Sequence, residues 1–350
     1  MSYKQMTGNI ISATKVEPDG VYTSSAASGV WNLQEQYDYV RGGNWPNAAN
    51  PSPRGLFGGG ELSSGNSTDT IQYVNITTAG NAVDFGDRTV STLQLSAFGS
   101  STRAVFVGGQ NSGGDEAIKN VYDYVTIAST GNATDFGDMD GNAAKNGTAF
   151  SSNTRGIYSG GSRSNADSDQ IEYVTIASTG NALDFGNLTQ GRSSIAGCSS
   201  PTRGLTAGGG GGGDYNIIDY VTIASTGNAT DFGDLLATTS GRNQGSVSSN
   251  TRGIFAGQPG SNVDRIQYVT IASTGNAQDF GNLIDTTNHY YDFGSASGPT
   301  LGIFAGNNSV QNVIQKITIA STGNASDFGD LTLALKNLAG CSGSHGGIAA

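Results

Sequence analysis

The chain has 350 residues, of which 54 are glycine and only 13% are charged, and its formal net charge is −11. That acidic balance repels phosphate backbones and argues against a nucleic-acid partner. No run reaches the ~18 apolar residues of a membrane helix. The two cysteines, Cys198 and Cys341, give neither a disulfide framework nor a zinc spacing. Both sit in the phrase Ala-Gly-Cys-Ser and are expected as small buried hydrophobes.

The first segment, 1–50, stands apart from the rest. "MSYKQMTGNIISATK" has no apolar core of the kind a secretory signal needs, so export by that route is not expected. "SGVWNLQEQYDYVRGGNWP" (28–46) carries both tryptophans, Trp31 and Trp45. Such large apolar side chains suit anchoring to a neighbouring protein, or packing on the flank of the following domain.

From residue 51 onward the chain repeats itself. In-register Asp-Phe-Gly triplets begin at Asp84, Asp135, Asp184, Asp231, Asp279 and Asp327, at intervals of 51, 49, 47, 48 and 48 residues. A second marker precedes each triplet: "PRGLFGGG" at Pro53, "TRAVFVGG" at Thr102, "TRGIYSGG" at Thr154, "TRGLTAGG" at Thr202, "TRGIFAGQ" at Thr251 and "TLGIFAGN" at Thr300. A fixed period of this size marks a repeat architecture.

Each repeat reads as four short strands. In the third, the predicted strands are 147–152, 155–161, 170–178 and 182–188, the third of them rich in β-branched and aromatic residues. Thr-Gly-Asn makes the turn before the last strand. Four such strands cannot bury a face alone, whereas repeats stacked radially can, which favours a β-propeller over a β-helix or a sandwich. The Asp-Phe-Gly phenylalanine is expected between neighbouring blades, with its glycine allowing a close backbone approach. Arg54, Arg103, Arg155, Arg203 and Arg252 are expected to pair with the repeated aspartates or with carbonyls of the Thr-Gly-Asn turns. Leu301 breaks that series and should leave one aspartate without its partner.

A strand ending in Gly-Gly, an aromatic strand, a polar turn and an inter-blade aromatic, in that order, resemble the kelch repeat. Phe85, Phe136, Phe185, Phe232, Phe280 and Phe328 stand where kelch units usually carry Trp. The wording "YVTIASTGNATDFGDL" with "SPTRG" and "FAGG"-like phrases is similar to kelch-like arrays in structural proteins of tailed phages, especially those of marine cyanobacteria. The Trp31–Trp45 segment is similar to a stretch in phage tail and fibre proteins. The resemblance implies an all-β, kelch-like propeller at 51–350, behind an attachment arm at 1–50. It also implies a virion component of the tail or exterior, present in several copies and contacting other virion proteins. Six blades are favoured. Pairing Asn337–Gly343 with Arg54–Gly60 would close them and leave "HGGIAA" (345–350) as an overhang. A seventh blade would need "HGGIAA" and Tyr37–Trp45 as strands.

Comparing the repeats separates scaffold from surface. The turns between strands one and two and between three and four barely vary. The loops between strands two and three (61–69, 110–120, 162–169, 209–216, 258–264) and between strand four and the next strand one diverge. Binding residues are expected on these variable loops. The candidates are His289, Tyr290 and Tyr291 as an aromatic contact for a sugar ring, Asp214 and Tyr215, and the acids Asp115, Glu116, Asp167 and Asp169. The tyrosines could equally fill the junction with the next blade.

The chemistry points away from an enzyme. Six copies of Asp-Phe-Gly in strand register are not a kinase signature. The glycine run 208–213 leads into an acidic strand rather than a helix. Two histidines are too few for a His-based zinc site or a triad, and sialidase-type boxes are absent. No cofactor is expected. The function expected is recognition of a host-surface glycan, a receptor or another virion chain. The alternatives are a virion-associated glycan-degrading enzyme working through paired loop carboxylates, or a capsid decoration or spacer protein.

Overall fold

The fold is known from a computed structural model, which describes residues 53–112, 117–211, 213–239, 245–257, 264–284 and 292–348. The chain divides into two units, Met1–Ser52 and Pro53–Ala350, and every described residue belongs to the second. The arm at 1–50, with Trp31 and Trp45, therefore lies outside the described residues. Among the described residues all regular elements are β-strands.

The strands form six four-stranded antiparallel sheets, one per repeat. The first holds β1 (Arg54–Gly58), β2 (Thr70–Asn75) and β3 (Val83–Asp87). The second holds β4 (Ser96–Gly99), β5 (Arg103–Val107), β6 (Val121–Thr126) and β7 (Thr134–Asp138). A short β8 (Ala144–Lys145) precedes the third, made of β9 (Thr148–Ser151), β10 (Arg155–Ser159), β13 (Gln170–Thr175) and β14 (Leu183–Asn187). Between β10 and β13, β11 (Ser162–Arg163) and β12 (Ala166–Asp167) join β8 in a small three-stranded sheet. The fourth sheet runs β15 (Ala196–Ser199), β16 (Arg203–Ala207), β17 (Tyr215–Thr222) and β18 (Thr230–Thr239). The fifth runs β19 (Gly245–Ser248), β20 (Arg252–Ala256), β21 (Arg265–Thr270) and β22 (Gln278–Asn282). The sixth runs β23 (Gly294–Ser297), β24 (Leu301–Ala305), β25 (Gln311–Thr318) and β26 (Ser326–Leu335). β27 (Ala339–Ser342) crosses to the first sheet and pairs with β1, Gly55 opposite Ser342 and Gly58 opposite Ala339, the pairing expected for Asn337–Gly343.

The strands start and stop where the sequence dictates. β-branched and aromatic residues fill the third strand of each sheet, and each third–fourth pair carries a bulge beside the Asp-Phe-Gly glycine. The first strands touch in succession, β4 to β9, β15, β19, β23, β27 and back to β4.

The repeated phrase proves to be the contact between sheets. Gly131 N donates to Phe85 O at 2.7 Å and Ala133 N to Asp87 O at 2.7 Å, while Asn132 Oδ1 accepts from Asp87 N at 3.1 Å. The same bonds recur five more times, and Gly80 N to Phe328 O (2.9 Å) joins the sixth sheet to the first. Gly86, at φ +146°, lies so close to the next turn that a Cβ there would sit 2.5 Å from the Gly131 carbonyl. Each phenylalanine is buried against the next sheet, as Phe185 is against Val221 and Ile223.

The five arginines take a partner the sequence pointed to only in part. None pairs with an Asp-Phe-Gly aspartate, and those aspartates are exposed. Each Nη1 instead donates to the carbonyl of the isoleucine that opens the next sheet's turn: Arg54 to Ile127 (2.7 Å), Arg103 to Ile176, Arg155 to Ile223, Arg203 to Ile271 and Arg252 to Ile319. Each guanidinium also lies 4.3–4.6 Å over the tyrosine of its own third strand, which meets the phenylalanine edge to face. In the sixth sheet both stacking partners change together. Leu301 replaces the arginine and packs against the cluster that holds Ile76, and Lys316 replaces the tyrosine.

The segment after β27 is not an overhang. Gly346 N donates to Ser248 O at 3.1 Å, and His345 Nε2 donates to Gly99 O at 2.9 Å while its Nδ1 accepts from Gly347 N at 3.0 Å. Residues 345–348 form turns rather than a strand of a further sheet. The two bonds fix the neutral Nε2–H tautomer, and desolvation holds the imidazole below its ordinary pKa despite the opposing pull of the Gly99 carbonyl.

Two predictions follow from this geometry. F185A should destabilise by about 3–5 kcal/mol and G186A by at least about 1–3 kcal/mol from backbone strain. D184A should stay within about 0.5 kcal/mol. Guanidinium unfolding of the three variants measures this ordering, and a D184A loss as large as that of F185A would contradict it. The second concerns pH. With His345 depressed, the unfolded chain takes up the proton first as pH falls through about 6.5. Stability is therefore full above that value and declines below it. Between about pH 7 and 5 the wild type should lose more of its unfolding midpoint than H345Q.

Candidate functional site

The candidate surface is the end of the sheets that carries the loops between strands two and three and between sheets. Among the described residues these loops are rooted by a buried polar position on each third strand. Gln72, Asp123, Glu172, Asp219, Gln267 and Gln315 are all at most 3% exposed. Each accepts a backbone N–H from the sheet before it: from Thr332, Thr89, Asp140, Thr189, Leu236 and Ile284 respectively, at 2.7–3.2 Å.

Where that position is a carboxylate, an arginine accompanies it. Arg88 Nε meets Asp123 Oδ1 at 3.1 Å, Arg163 Nη2 meets Glu172 Oε2 at 2.9 Å, and Arg192 Nη1 meets Asp219 Oδ2 at 2.9 Å. Where it is glutamine the amide oxygen accepts the same bond without a charge to neutralise. A buried carboxylate needs a counter-charge and a glutamine does not. Burial holds the Glu172 carboxyl above its ordinary value, opposed by Arg163, by the Tyr122 hydroxyl that donates to it at 2.7 Å, and by Asp140 N–H. Burial and then Glu172 raise Tyr122 well above the usual phenol range. Burial also lowers Arg192, against the pull of Asp219. The cysteine thiols, both buried, are pushed up to about 12 and stay neutral.

The arginines tie loops down. Arg88 and Arg192 lie between sheets, and Arg192 Nη2 also donates to Thr206 O at 3.1 Å. Arg163 belongs to the hairpin β11–β12, whose tip residues Ser164 and Asn165 have φ of 50° and 63°, as a tight hairpin of the primed type requires. It also donates to the Asp140 and Asn142 carbonyls. This buried set went unrecognised in the sequence, although the Gln/Asp/Glu alternation before Tyr-Val was there to be read.

Of the candidates from sequence, Asp167, Asp169, Asp214 and Tyr215 fall within the described residues, and the three aspartates are exposed. Asp167 on β12 reaches the neighbouring sheet's loop, its Oδ2 lying against Gly211. Tyr215 is half-buried; its hydroxyl donates to Gly211 O at 2.5 Å and accepts from Gln190 Nε2 at 2.6 Å. Asp167 and Tyr215 therefore meet at Gly211, with Asp214 beside them in bridge pairing to Gly210. Tyr215 serves to shape its loop as well as to present a ring. A second feature, a cleft of about 480 Å³ between the loops of the first two sheets, is lined by Asn66, Ser67, Ser91, Asn111, Ser112 and Lys119 among others. Asp115, Glu116, His289, Tyr290 and Tyr291 lie outside the described residues. Among the described residues no group of three or more His, Cys, Asp or Glu is placed to hold a metal.

Comparison with protein-family models and with curated proteins finds no match to this chain.

R192M leaves Asp219 buried and unpaired and should cost about 3–5 kcal/mol. R192M/D219Q recreates the neutral arrangement of the Gln267 sheet and should recover most of that loss. A double-mutant cycle by denaturant unfolding checks it, and strict additivity of R192M and D219Q would refute the charge-compensation account.

Proposed function

We propose that the chain is a six-bladed, kelch-like β-propeller that serves as a virion structural protein of a phage tail or fibre. Its variable loops meet a host-surface glycan or another virion chain. The observation that carries this reading is the contrast between the two ends of the sheets. At one end the same junction recurs six times, the turn's Gly N, Ala N and Asn side chain each bonded to the neighbouring sheet. At the other, loops of different length and composition rise from buried anchors. The cyclic succession of contacts among first strands and the β27–β1 pairing support the propeller. The kelch-like and tail-like phrases support the virion setting. The segment 1–50, with Trp31 and Trp45, would hold the protein to its neighbours. The Asp167–Gly211–Tyr215 patch offers acceptors and a ring of the kind that binds sugars, and by sequence Tyr290 and Tyr291 belong to the variable segments between repeats.

Purified particles labelled with antibody against the chain should show label on the tail. The recombinant chain should compete with particles for adsorption to host cells, with Y290A/Y291A weakening the competition several-fold. Label following the capsid lattice would favour a decoration or spacer protein. Oligosaccharides released from host polysaccharide would favour the glycan-degrading enzyme, and unlabelled particles would end the virion reading.

A further inference from the structure

The first strands enclose a cavity of about 110 Å³, and His345 is part of its lining. The turn that carries His345 continues from β27 and touches the last residue of each of the other five first strands. His345 Nε2 donates to Gly99 O at the end of β4 (2.9 Å) and lies 3.1 Å from Ser151 Oγ at the end of β9. Gly346 N donates to Ser248 O at the end of β19 (3.1 Å), and Ser344 Oγ reaches Ser297 O at the end of β23 (3.5 Å). Gly347 lies against Ser151 O and, at the end of β15, Ser199 Oγ, so closely that a Cβ there would collide with both. The turn therefore sits across one mouth of the cavity.

Its shape depends on one lone pair. With the Nε2 proton committed to Gly99 O, Nδ1 is the acceptor for Gly347 N at 3.0 Å. A proton on Nδ1 makes both ring nitrogens donors. Nδ1–H would then face Gly347 N–H, donor against donor, and a full charge would sit in a buried place. Nothing around the ring would steady that charge. At their ends β4, β9, β15, β19 and β23 meet the turn with carbonyls and serine hydroxyls. The other titratable groups of the cavity are Cys198 and Cys341, both neutral thiols, and Asp292, which precedes β23 and so belongs to the opposite end of the strands. Arg155 borders a groove with Gly347 and donates to Ile223 O. Burial lowers the imidazole pKa and the Gly99 carbonyl alone opposes it.

We propose that the turn 344–348 is an acid-sensitive stopper: proton uptake at His345 Nδ1 releases it from the ends of the first strands and uncovers that mouth of the axial cavity. Release lets the ring ionise in water without unfolding the sheets, so this short segment gives way before the strands do. The device is independent of what the loops recognise.

Hydrogen–deuterium exchange of the full chain reads the stopper, at labelling times matched for intrinsic amide exchange. The 343–350 peptide carries the bonded amides of Gly346, Gly347 and Ile348. Between about pH 7.5 and about pH 5 its protection should fall about ten- to thirtyfold, the upper limit being that of a released imidazole titrating near 6.5. Peptides from the strands should keep theirs. H345Q, neutral throughout, should show no such change. G347A, whose methyl meets the Ser151 carbonyl, should be open at both pH values. Should H345Q fail to seat the turn, G347A is the open reference and the wild type at the two pH values decides. Unchanged protection of 343–350 in the wild type would overturn the proposal. So would an equal loss in a seated H345Q, or a loss shared by all strands, which is global unfolding.

Discussion

The outer edge of each sheet is the constraint on which everything else depends. A four-stranded sheet of this size leaves an edge strand with unpaired carbonyls and an apolar face it cannot bury. Here the neighbour's Gly-Asn-Ala turn supplies the missing donors, two backbone N–H groups to the carbonyls of the Phe and of the Asp or Asn two residues on, and its asparagine accepts the one N–H left over. The phenylalanine that carries the first of those carbonyls goes into the neighbour's core by the same step. Hydrogen bonding and apolar burial are thus a single event, and it requires a glycine after the phenylalanine because the two backbones touch. One consequence is non-local: β1 gains its second partner only when residues 339–342 arrive, so the first sheet cannot be completed until the chain has nearly all been used.

Inside that frame the six repeats act as natural substitution experiments. The buried acceptor on the third strand is met by the same backbone N–H whether it is Gln, Asp or Glu. The hydrogen bond, not the charge, is therefore the common requirement. The carboxylate versions carry an added cost, the need for a buried arginine, and in return each arginine fastens a loop by its root. The stacked pair on the opposite end behaves alike. Arginine and tyrosine occur together five times and are lost together in the sixth sheet, where Leu301 meets the same neighbouring cluster by apolar contact.

Much of the scaffold was legible in the sequence because its determinants are local or periodic. Strand positions in the third repeat, the inter-sheet place of Phe185 and the need for Gly186 all follow from a phrase repeated in register. The partners of the arginines were only half legible. A turn carbonyl was foreseen, yet the isoleucine at its start wins over the aspartates, which are exposed and keep their water. The buried Arg–carboxylate pairs were missed because Arg88 and Asp123, or Arg192 and Asp219, are far apart in sequence and appear in only some repeats. The fate of His345 was hidden for another reason: a short glycine-rich segment has no pattern of its own, and only the carbonyls of Gly99 and Ser248 tell it where to lie.

The same accounting explains why the six repeats agree at one end of the sheets and diverge at the other. At the turn end, Gly N, Ala N and the Asn side chain are spent on the neighbouring sheet in all six repeats and the Ile carbonyl in five, so substitutions that displace these groups break a bond between sheets. At the loop end the obligations stop at the root. Asp123, Glu172 and Asp219 fix where a loop leaves the sheet, while exposed positions such as Asp169 and Asp214 carry no comparable duty. Variation there is permitted by the structure before any ligand is considered. What turns permission into recognition is rigidity, since a loop pinned by a buried guanidinium loses less freedom on binding than a free one. The anchored hairpin at 162–167, with Asp167 Oδ2 beside Gly211, is accordingly well prepared to present side chains to a partner.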